Sequence, residues 1–148
     1  MPQSGKFDPL KDVEDSAIIL DHGKWPNFHD AEVHNLSIWR GDIRPEDNVW
    51  IGPVIEVEFE LCALKEPYVA ALKFHDCDVI RMQEFNHQNA IYDLSFAFKD
   101  RGINEKTGMP LPPAIVVRFE QAFGVSLTFE CFRVQAMERR QSADAERH

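Results

Sequence analysis

The chain has 148 residues, a length typical of a single domain, and 44% of them are hydrophobic. It contains no apolar run near the ~20 residues that a membrane helix requires, and its first residues lack the apolar stretch of a secretory signal. The formal net charge is −9, and a negative field repels phosphate backbones. We therefore expect a cytoplasmic protein that binds neither membrane nor nucleic acid.

The acidic charge is concentrated in the N-terminal half. Residues 1–62 hold thirteen Asp and Glu against five Lys and Arg, whereas residues 63–148 hold twelve against eleven. An acidic surface attracts and steers a basic protein partner, although charge also serves solubility alone.

Three cysteines, Cys62, Cys77 and Cys131, are widely spaced in strand-like segments and form no CxxC pair. We expect them to be buried structural thiols.

The N-terminal region contains the one predicted helix. Residues 1–12 are polar and are expected to form a flexible arm. Asp15-Ser16 can cap a short helix that runs to Leu20, and Gly23 can end it.

The remaining apolar segments alternate as strands do, and the links between them are polar or rich in proline. Strands are predicted over 31–40, 54–62, 69–75, 77–85, 94–98, 114–120 and 125–137. A change of apolar face predicts a bulge near His34-Asn35. Segment 41–53 is predicted to be a loop, and Gly124 lies in the turn of a hairpin. Pro67 leaves 66–73 open to a helical alternative.

This pattern predicts a mainly β fold, α+β at most. We expect an antiparallel β-sandwich or curled sheet of six to seven strands with one short N-terminal helix. The single domain spans 13–137, between the arm and a charged, disordered tail over 138–148.

An acidic row is the clearest predicted surface feature. In segment 54–62 the apolar side chains point inward, so Glu56, Glu58 and Glu60 share the outer face. They can await Lys or Arg from a partner, or they can pair with cations on neighbouring strands. The candidate neighbouring cations are Lys73, Arg118 and Arg133.

Tryptophans in the acidic half are candidates for partner contacts, because tryptophan is enriched at binding hot spots. Trp39, Trp50 and Asp42 join the acidic row as predicted partner-binding residues, whereas Trp25 is expected to be a buried anchor.

Metal chemistry is the main alternative to binding. Two segments read Phe-His-Asp, and their His29, Asp30, His75 and Asp76 could hold a divalent ion or poise a water for hydrolysis. On a strand, adjacent side chains point to opposite faces, so each pair could chelate one ion only with a bend. The alternative is that the aspartates make turn hydrogen bonds. No cofactor fingerprint or nucleophile motif is present.

Two short motifs resemble the immunity protein 50 family of bacterial polymorphic-toxin systems. The first runs from Trp25 to Val33 and includes Phe28, His29, Asp30 and Glu32. The second is Phe85 followed by Asn86, His87, Gln88 and Asn89, a loop whose polar groups could bind a partner or satisfy their own backbone. The Gly124 hairpin follows in the same order.

This resemblance implies a small cytoplasmic protein that neutralises a cognate toxin domain, without catalysis and without a cofactor. The motif residues have no assigned role. A homodimer that buries exposed aromatic side chains is compatible with this reading.

Overall fold

The computed structural model describes residues 5–62 and 66–142. Helix α1 spans Pro9–Asp12 and a 3-10 helix spans Ser16–Ile19. The strands are β1 Val13–Glu14, β2 Glu32–Trp39, β3 Asp42–Arg44, β4 Val49–Ile51, β5 Val54–Leu61, β6 Tyr68–His75, β7 Asp78–Gln83, β8 Ile91–Lys99, β9 Ala114–Gln121, β10 Ser126–Cys131 and β11 Arg133–Gln141. Neither helix in these ranges has the length or the apolar content to cross a membrane.

The strands form two main sheets and one short ribbon. The five-stranded sheet has the order β1-β11-β6-β5-β2, the four-stranded sheet has the order β7-β10-β9-β8, and β3 pairs with β4. All pairings are antiparallel except that of β1 with β11. The predicted mainly β, antiparallel class is confirmed. The eleven strands within residues 5–62 and 66–142 exceed the six to seven expected, because short strands and a divided segment add to the count.

A phenylalanine cluster joins the two main sheets. Phe59 and Phe74 of the five-stranded sheet meet Phe119 of the other, at centroid distances of 5.3 and 6.5 Å. Phe129 lies 4.9 Å from Phe74. All four are at most 1% exposed. Because these rings come from facing sheets, the core lies between the sheets, as in a sandwich.

The chain changes sheet twice at one corner. Strand β6 ends at His75 and β7 begins in the other sheet, while β10 ends at Cys131 and β11 returns. The Phe132 amide donates to the His75 carbonyl at 3.0 Å, so the two crossings are adjacent. The single strand predicted over 125–137 is therefore wrong, because it divides at Phe132. Of the strand and helix that the sequence allowed over 66–73, the structure has a strand, which begins at Tyr68.

The predicted bulge in β2 is confirmed. The register of β2 against β5 shifts between Val33 and Asn35. The change of face had indicated this, because an extra residue reverses the alternation.

A β-ribbon replaces the loop that was predicted over 41–53. Strands β3 and β4 continue the β2–β5 hairpin beyond the sheet. Gly41 and Gly52 both have φ of +97°, and a Cβ on Gly41 would lie 2.1 Å from the Ile51 carbonyl oxygen. Glycine therefore permits the close approach at the base of the ribbon. The loop prediction was wrong because glycine and proline at this kink resemble loop punctuation.

The chain termini are more ordered than expected over the described residues. Phe7, placed in the predicted arm, is 6% exposed and stacks on Phe96 at 4.8 Å. The expected helix after Asp15 is a 3-10 turn, and Asp15 has φ of 57° and makes no side-chain cap. At the other end, β11 extends to Gln141 into the predicted tail. The rest of that arm and tail, 1–4 and 143–148, lies outside the described residues.

Candidate functional site

The acidic row lies on the outer face of the five-stranded sheet. Glu56, Glu58 and Glu60 alternate along β5 with fully buried side chains, as predicted. The strand register arranges this face in rows. The rows are Ser37–Glu56–Lys73–Gln135, Asn35–Glu58–Ala71–Glu138 and Glu32–Glu60–Val69–Arg140.

Each carboxylate of the acidic row has a partner on another strand of the same sheet, β6 for Glu56, β11 for Glu58 and β2 for Glu60. The N···O contacts are Glu56–Lys73 at 3.9 Å, Glu58–Arg140 at 2.8 Å and Glu60–His34 at 3.3 Å. Glu60 also accepts a hydrogen bond from the Ser142 hydroxyl. The Glu56 contact is the longest, and its side chain is 53% exposed. Glu56 is therefore the member of the row most open to a new partner.

The cations suggested by the sequence are only partly those that the row uses. Lys73 pairs with the row, whereas Arg118 lies on β9 of the other sheet. Arg133 donates two hydrogen bonds of 2.7 Å to Glu14, which lower the pKa of that carboxyl from its usual value. Arg140 was missed because it falls in the predicted tail. Its bond to Glu58 raises the pKa of the Arg140 guanidinium.

The outer face keeps an acidic surplus after this pairing. Among the residues that the structure describes, the strand register places six carboxylates on it against three cations, a surplus of three negative charges. The carboxylates are Glu14, Glu32, Glu56, Glu58, Glu60 and Glu138, and the cations are Lys73, Arg133 and Arg140. Such a face attracts a positively charged surface.

The ribbon and the end of β2 expose large apolar side chains. We define the ribbon patch as Ile38, Trp39, Ile43, Val49 and Trp50, each between 44% and 51% exposed. Ile43 and Trp50 are directly opposite in the ladder and share one face of the ribbon. Exposed apolar side chains that are contiguous in space are typical of interaction surfaces, and the cross-strand neighbours Ile43 and Trp50 form such a pair.

Polar contacts shape the ribbon around this patch. The Arg40 guanidinium lies 5.5 Å from the Trp50 ring centroid. Asp42, an expected partner-binding residue, is exposed, and its Oδ1 accepts from the Ile43 amide at 2.7 Å. At the tip, Arg44 and Asp47 form an ion pair, and the Asn48 amide donates to the Arg44 carbonyl at 2.8 Å. The turn is thus closed by a side-chain ion pair and a backbone hydrogen bond.

The first resemblance motif supports the core and then leads into β2. Trp25 is half-buried rather than buried, and its ring lies 5.6 Å from that of buried Phe28. His29 is exposed and its Nδ1 lies 2.8 Å from the Tyr92 carbonyl oxygen. Asp30 takes a left-handed conformation with φ of 63°. Its amide donates to the Ile91 carbonyl at 2.9 Å, so the motif is anchored on β8.

The second motif is brought directly beside the first. The Asn89 amide donates to the Glu32 carboxylate, and the Val33 amide donates to the Asn89 carbonyl at 2.9 Å. Asn89 is 3% exposed and its Oδ1 accepts from the Asn86 amide at 2.9 Å. The Gln88 amide donates to Asn86 Oδ1 at 3.0 Å. The loop thus satisfies its own backbone.

Gly124 completes this junction. Its φ is +79°, and an added Cβ would lie 2.1 Å from the Gln88 carbonyl oxygen and 2.6 Å from Asn89 Oδ1. The three elements of the resemblance therefore meet in one place, although they are far apart in sequence. Their contacts are structural.

An open cleft of about 490 Å³ lies beside the junction. Glu32, His34, Glu60 and His87 supply its titratable side chains, and Phe85 and Asn86 are also at its rim. Glu32 and Glu60 already accept hydrogen bonds from the chain. The cleft can accept a cationic group but presents no assembled catalytic set.

The two Phe-His-Asp segments lie at opposite ends of the five-stranded sheet. Glu32, just after the first segment, pairs with Glu60, whereas Phe74 of the second pairs with Ile55. Five residues of β5 separate these positions, about 17 Å. Within 5–62 and 66–142, no three His, Cys, Asp or Glu side chains are grouped to hold a metal ion. The structure therefore does not bring the predicted metal ligands together.

Local backbone geometry accounts for the similarity of the two segments. Asp76, like Asp30, has a positive φ, of 56°, and its Oδ1 accepts from the Gly52 amide at 3.3 Å. A buried phenylalanine precedes and a buried small residue follows each aspartate. Aspartate tolerates the left-handed region better than most residues, so the same turn selects the same residues.

The cysteines differ from the expectation at one position. Cys77 and Cys131 are buried, as expected, but Cys62 is exposed. Burial raises the pKa of the Cys77 thiol to about 12 and that of Cys131 further still. Reactivity towards thiol reagents therefore resides in Cys62.

Comparison of the chain with protein-family models, with curated proteins and with solved structures finds no match in any of the three. The likeness to the immunity protein 50 family therefore rests on the two motifs and the Gly124 hairpin alone.

Proposed function

We propose that this chain is a non-catalytic immunity-type protein that binds and neutralises a toxin domain in the cytoplasm of a bacterium. The ribbon patch is the observation that carries the proposal. Five large apolar side chains are half exposed between residues 38 and 51. Placing such side chains in water costs free energy that a bound partner recovers, at about 25 cal/mol per Å² buried.

The expected contact surface combines the ribbon patch with the outer face of the five-stranded sheet. Trp39 follows Asn35 and Ser37 on that face, and Ser37 is paired with Glu56. Aromatic anchors next to charged residues are typical of energetic hot spots. The acidic surplus of the face favours a partner whose docking surface is basic, such as a nuclease that normally binds a polyanion.

Co-expression tests this proposal. The probe is the C-terminal domain of the secreted toxin that the proposal expects to be encoded next to this gene. We expect the wild-type chain to restore growth of cells that express this domain and to copurify with it. If the chain neither restores growth nor forms a complex, the proposal is wrong.

A matched pair of variants locates the surface. The double variant Trp39→Ala/Trp50→Ala should lose rescue, because truncation of a buried anchor typically costs 2 kcal/mol or more. Tyr92→Ala is the control, because Tyr92 is 58% exposed on β8 of the other sheet. If Tyr92→Ala abolishes rescue and the double variant does not, the ribbon patch is not the contact surface.

A homodimer remains a prediction that is compatible with this function. Light scattering across a wide range of protein concentration measures the mass of the species in solution and therefore detects a dimer directly. A constant monomer mass would exclude a dimer, and a dimer that dissociates on toxin binding would place both contacts on one surface.

A further inference from the structure

We infer that the free edge of β2 receives an extended basic segment of the partner as an added strand, whose Lys or Arg side chains reach across Asn35 and Ser37 to Glu56 and Glu58. The inference rests on the proposed function and specifies the partner's chemistry and its mode of binding.

The edge of β2 is available for pairing. Strand β2 is the last strand of the five-stranded sheet. The Asn89 carbonyl covers only its beginning, through the Val33 amide at 2.9 Å. Over Asn35–Trp39, the described residues supply backbone pairing from β5 alone. In an antiparallel pair the backbone groups of an outer strand alternate in direction, so every second residue turns its N–H and C=O away from β5.

The bulge between Val33 and Asn35 protects only the beginning of this edge, because Asn35–Trp39 pair with β5 in unbroken register. Residues 34–39 read His-Asn-Leu-Ser-Ile-Trp, without Asp, Glu, Lys, Arg or Pro. The edges of the other main sheet carry charges, Asp78 and Arg81 on β7 and Asp93 and Lys99 on β8. Proteins normally guard an edge strand with charge, proline, a bulge or extreme shortness, so the stretch 35–39, which follows the bulge and carries no charge or proline, is open to pairing.

The groove next to this edge selects a basic occupant. A shallow depression of about 330 Å³ on the outer face is lined by Asn35, Ser37, Glu56, Glu58 and Glu138, among others. The side chains of Asn35 and Ser37 are short, so they leave an open path from the edge to the carboxylates. An added strand would lie about 9.6 Å from β5, two strand spacings away. The combined length of a lysine and a glutamate side chain spans that distance.

Charge also argues against a second copy of this chain as the occupant. The chain carries a net charge of −9, and edge-to-edge pairing would bring two acidic outer faces together. A segment with Lys or Arg at alternate positions would place every cation on the acidic face.

A peptide probe tests the inference on the full chain. The probe is a nine-residue peptide in which threonine and lysine alternate, and the controls are the same peptide with a central proline and a threonine–glutamate peptide. Amide NMR should show binding of the first peptide with Kd on the order of 1 mM or tighter. The shifts should concentrate over 34–39, with slower hydrogen exchange at the edge amides. Neither control should bind.

Two variants test the mode of binding. Ser37→Lys places a cation between the edge and the carboxylates and should lower the affinity for the peptide at least tenfold. Ser95→Lys, on the edge strand β8 of the other sheet, should leave that affinity unchanged. The double variant Glu56→Gln/Glu58→Gln should weaken peptide binding without altering the edge of β2. It provides the test if Ser37→Lys does not fold. Three results would each overturn the inference. They are chemical-shift changes centred away from β2, equal effects of the two lysine variants on peptide binding, and edge amides that are already protected in a dimer of the free chain.

The outcome is separable from that of the proposed function. If Ser37→Lys fails to bind the peptide yet still neutralises the toxin domain, strand addition is not the mode of binding and the function stands. If the wild-type chain binds the peptide but neutralises no toxin domain, the function fails.

Discussion

Replacement of Gly124 by alanine should displace Gln88 and Asn89 of the second motif, which Gly124 closely approaches. The added Cβ would lie 2.1 Å from the Gln88 carbonyl oxygen, a distance that forces the backbone to move. The left-handed φ of +79° adds about 1–2 kcal/mol for any residue with a side chain. Displacement of Asn89 also endangers its hydrogen bond to the Asn86 amide, which contributes about 1 kcal/mol.

We therefore expect Gly124→Ala to lower the free energy of unfolding by about 3 kcal/mol, a drop in Tm of roughly 6–12 °C. Urea denaturation and thermal unfolding followed by circular dichroism measure both quantities. Gly108→Ala is the matched control, because Gly108 has a φ of +73° but the described part of the chain has no atom within 4 Å of an added Cβ. It should cost only the conformational penalty of about 1–2 kcal/mol. Equal losses in the two variants would refute the close approach at Gly124.

Three further predictions concern packing, charge and thiols. Phe119→Ala should cost about 3–5 kcal/mol of stability in urea denaturation, because its ring joins both sheets; a loss below 1 kcal/mol would contradict the sandwich core. The Glu14–Arg133 pair is exposed and should contribute under about 1 kcal/mol. Pairing lowers the pKa of Glu14 from 4.5, so the stability that the pair contributes should be present above that pH and lost below it. If the stability difference between the wild type and Glu14→Gln becomes larger towards acid pH, this sign is wrong. One thiol, Cys62, should react with a thiol reagent in the native protein and all three in urea, as counted by mass spectrometry; rapid native labelling of Cys77 would contradict its burial.

Strand periodicity was sufficient to predict the elements in which one face is buried. In β5 the alternation fixed both the core residues and the outward acidic row, because a two-residue period separates the faces. The bulge in β2 was predictable for the same reason, since an inserted residue reverses that period.

Contacts between distant segments could not be derived from local sequence. Nothing near Phe132 indicates that the chain changes sheet there, because apolar alternation continues on both sides of it. The pairing of Glu58 with Arg140 spans 82 residues and depends on the strand order. The ribbon was missed because glycines such as Gly41 and Gly52 are typical of loops. In this structure they instead allow two backbone segments to approach closely.

The binding surface is tested most directly by hydrogen–deuterium exchange on the complex with the toxin domain. We expect slower exchange over 34–51 and across β5, with no change in β8 and β9 of the other sheet. Protection confined to β8 and β9, with the ribbon and β2 unchanged, would contradict the account.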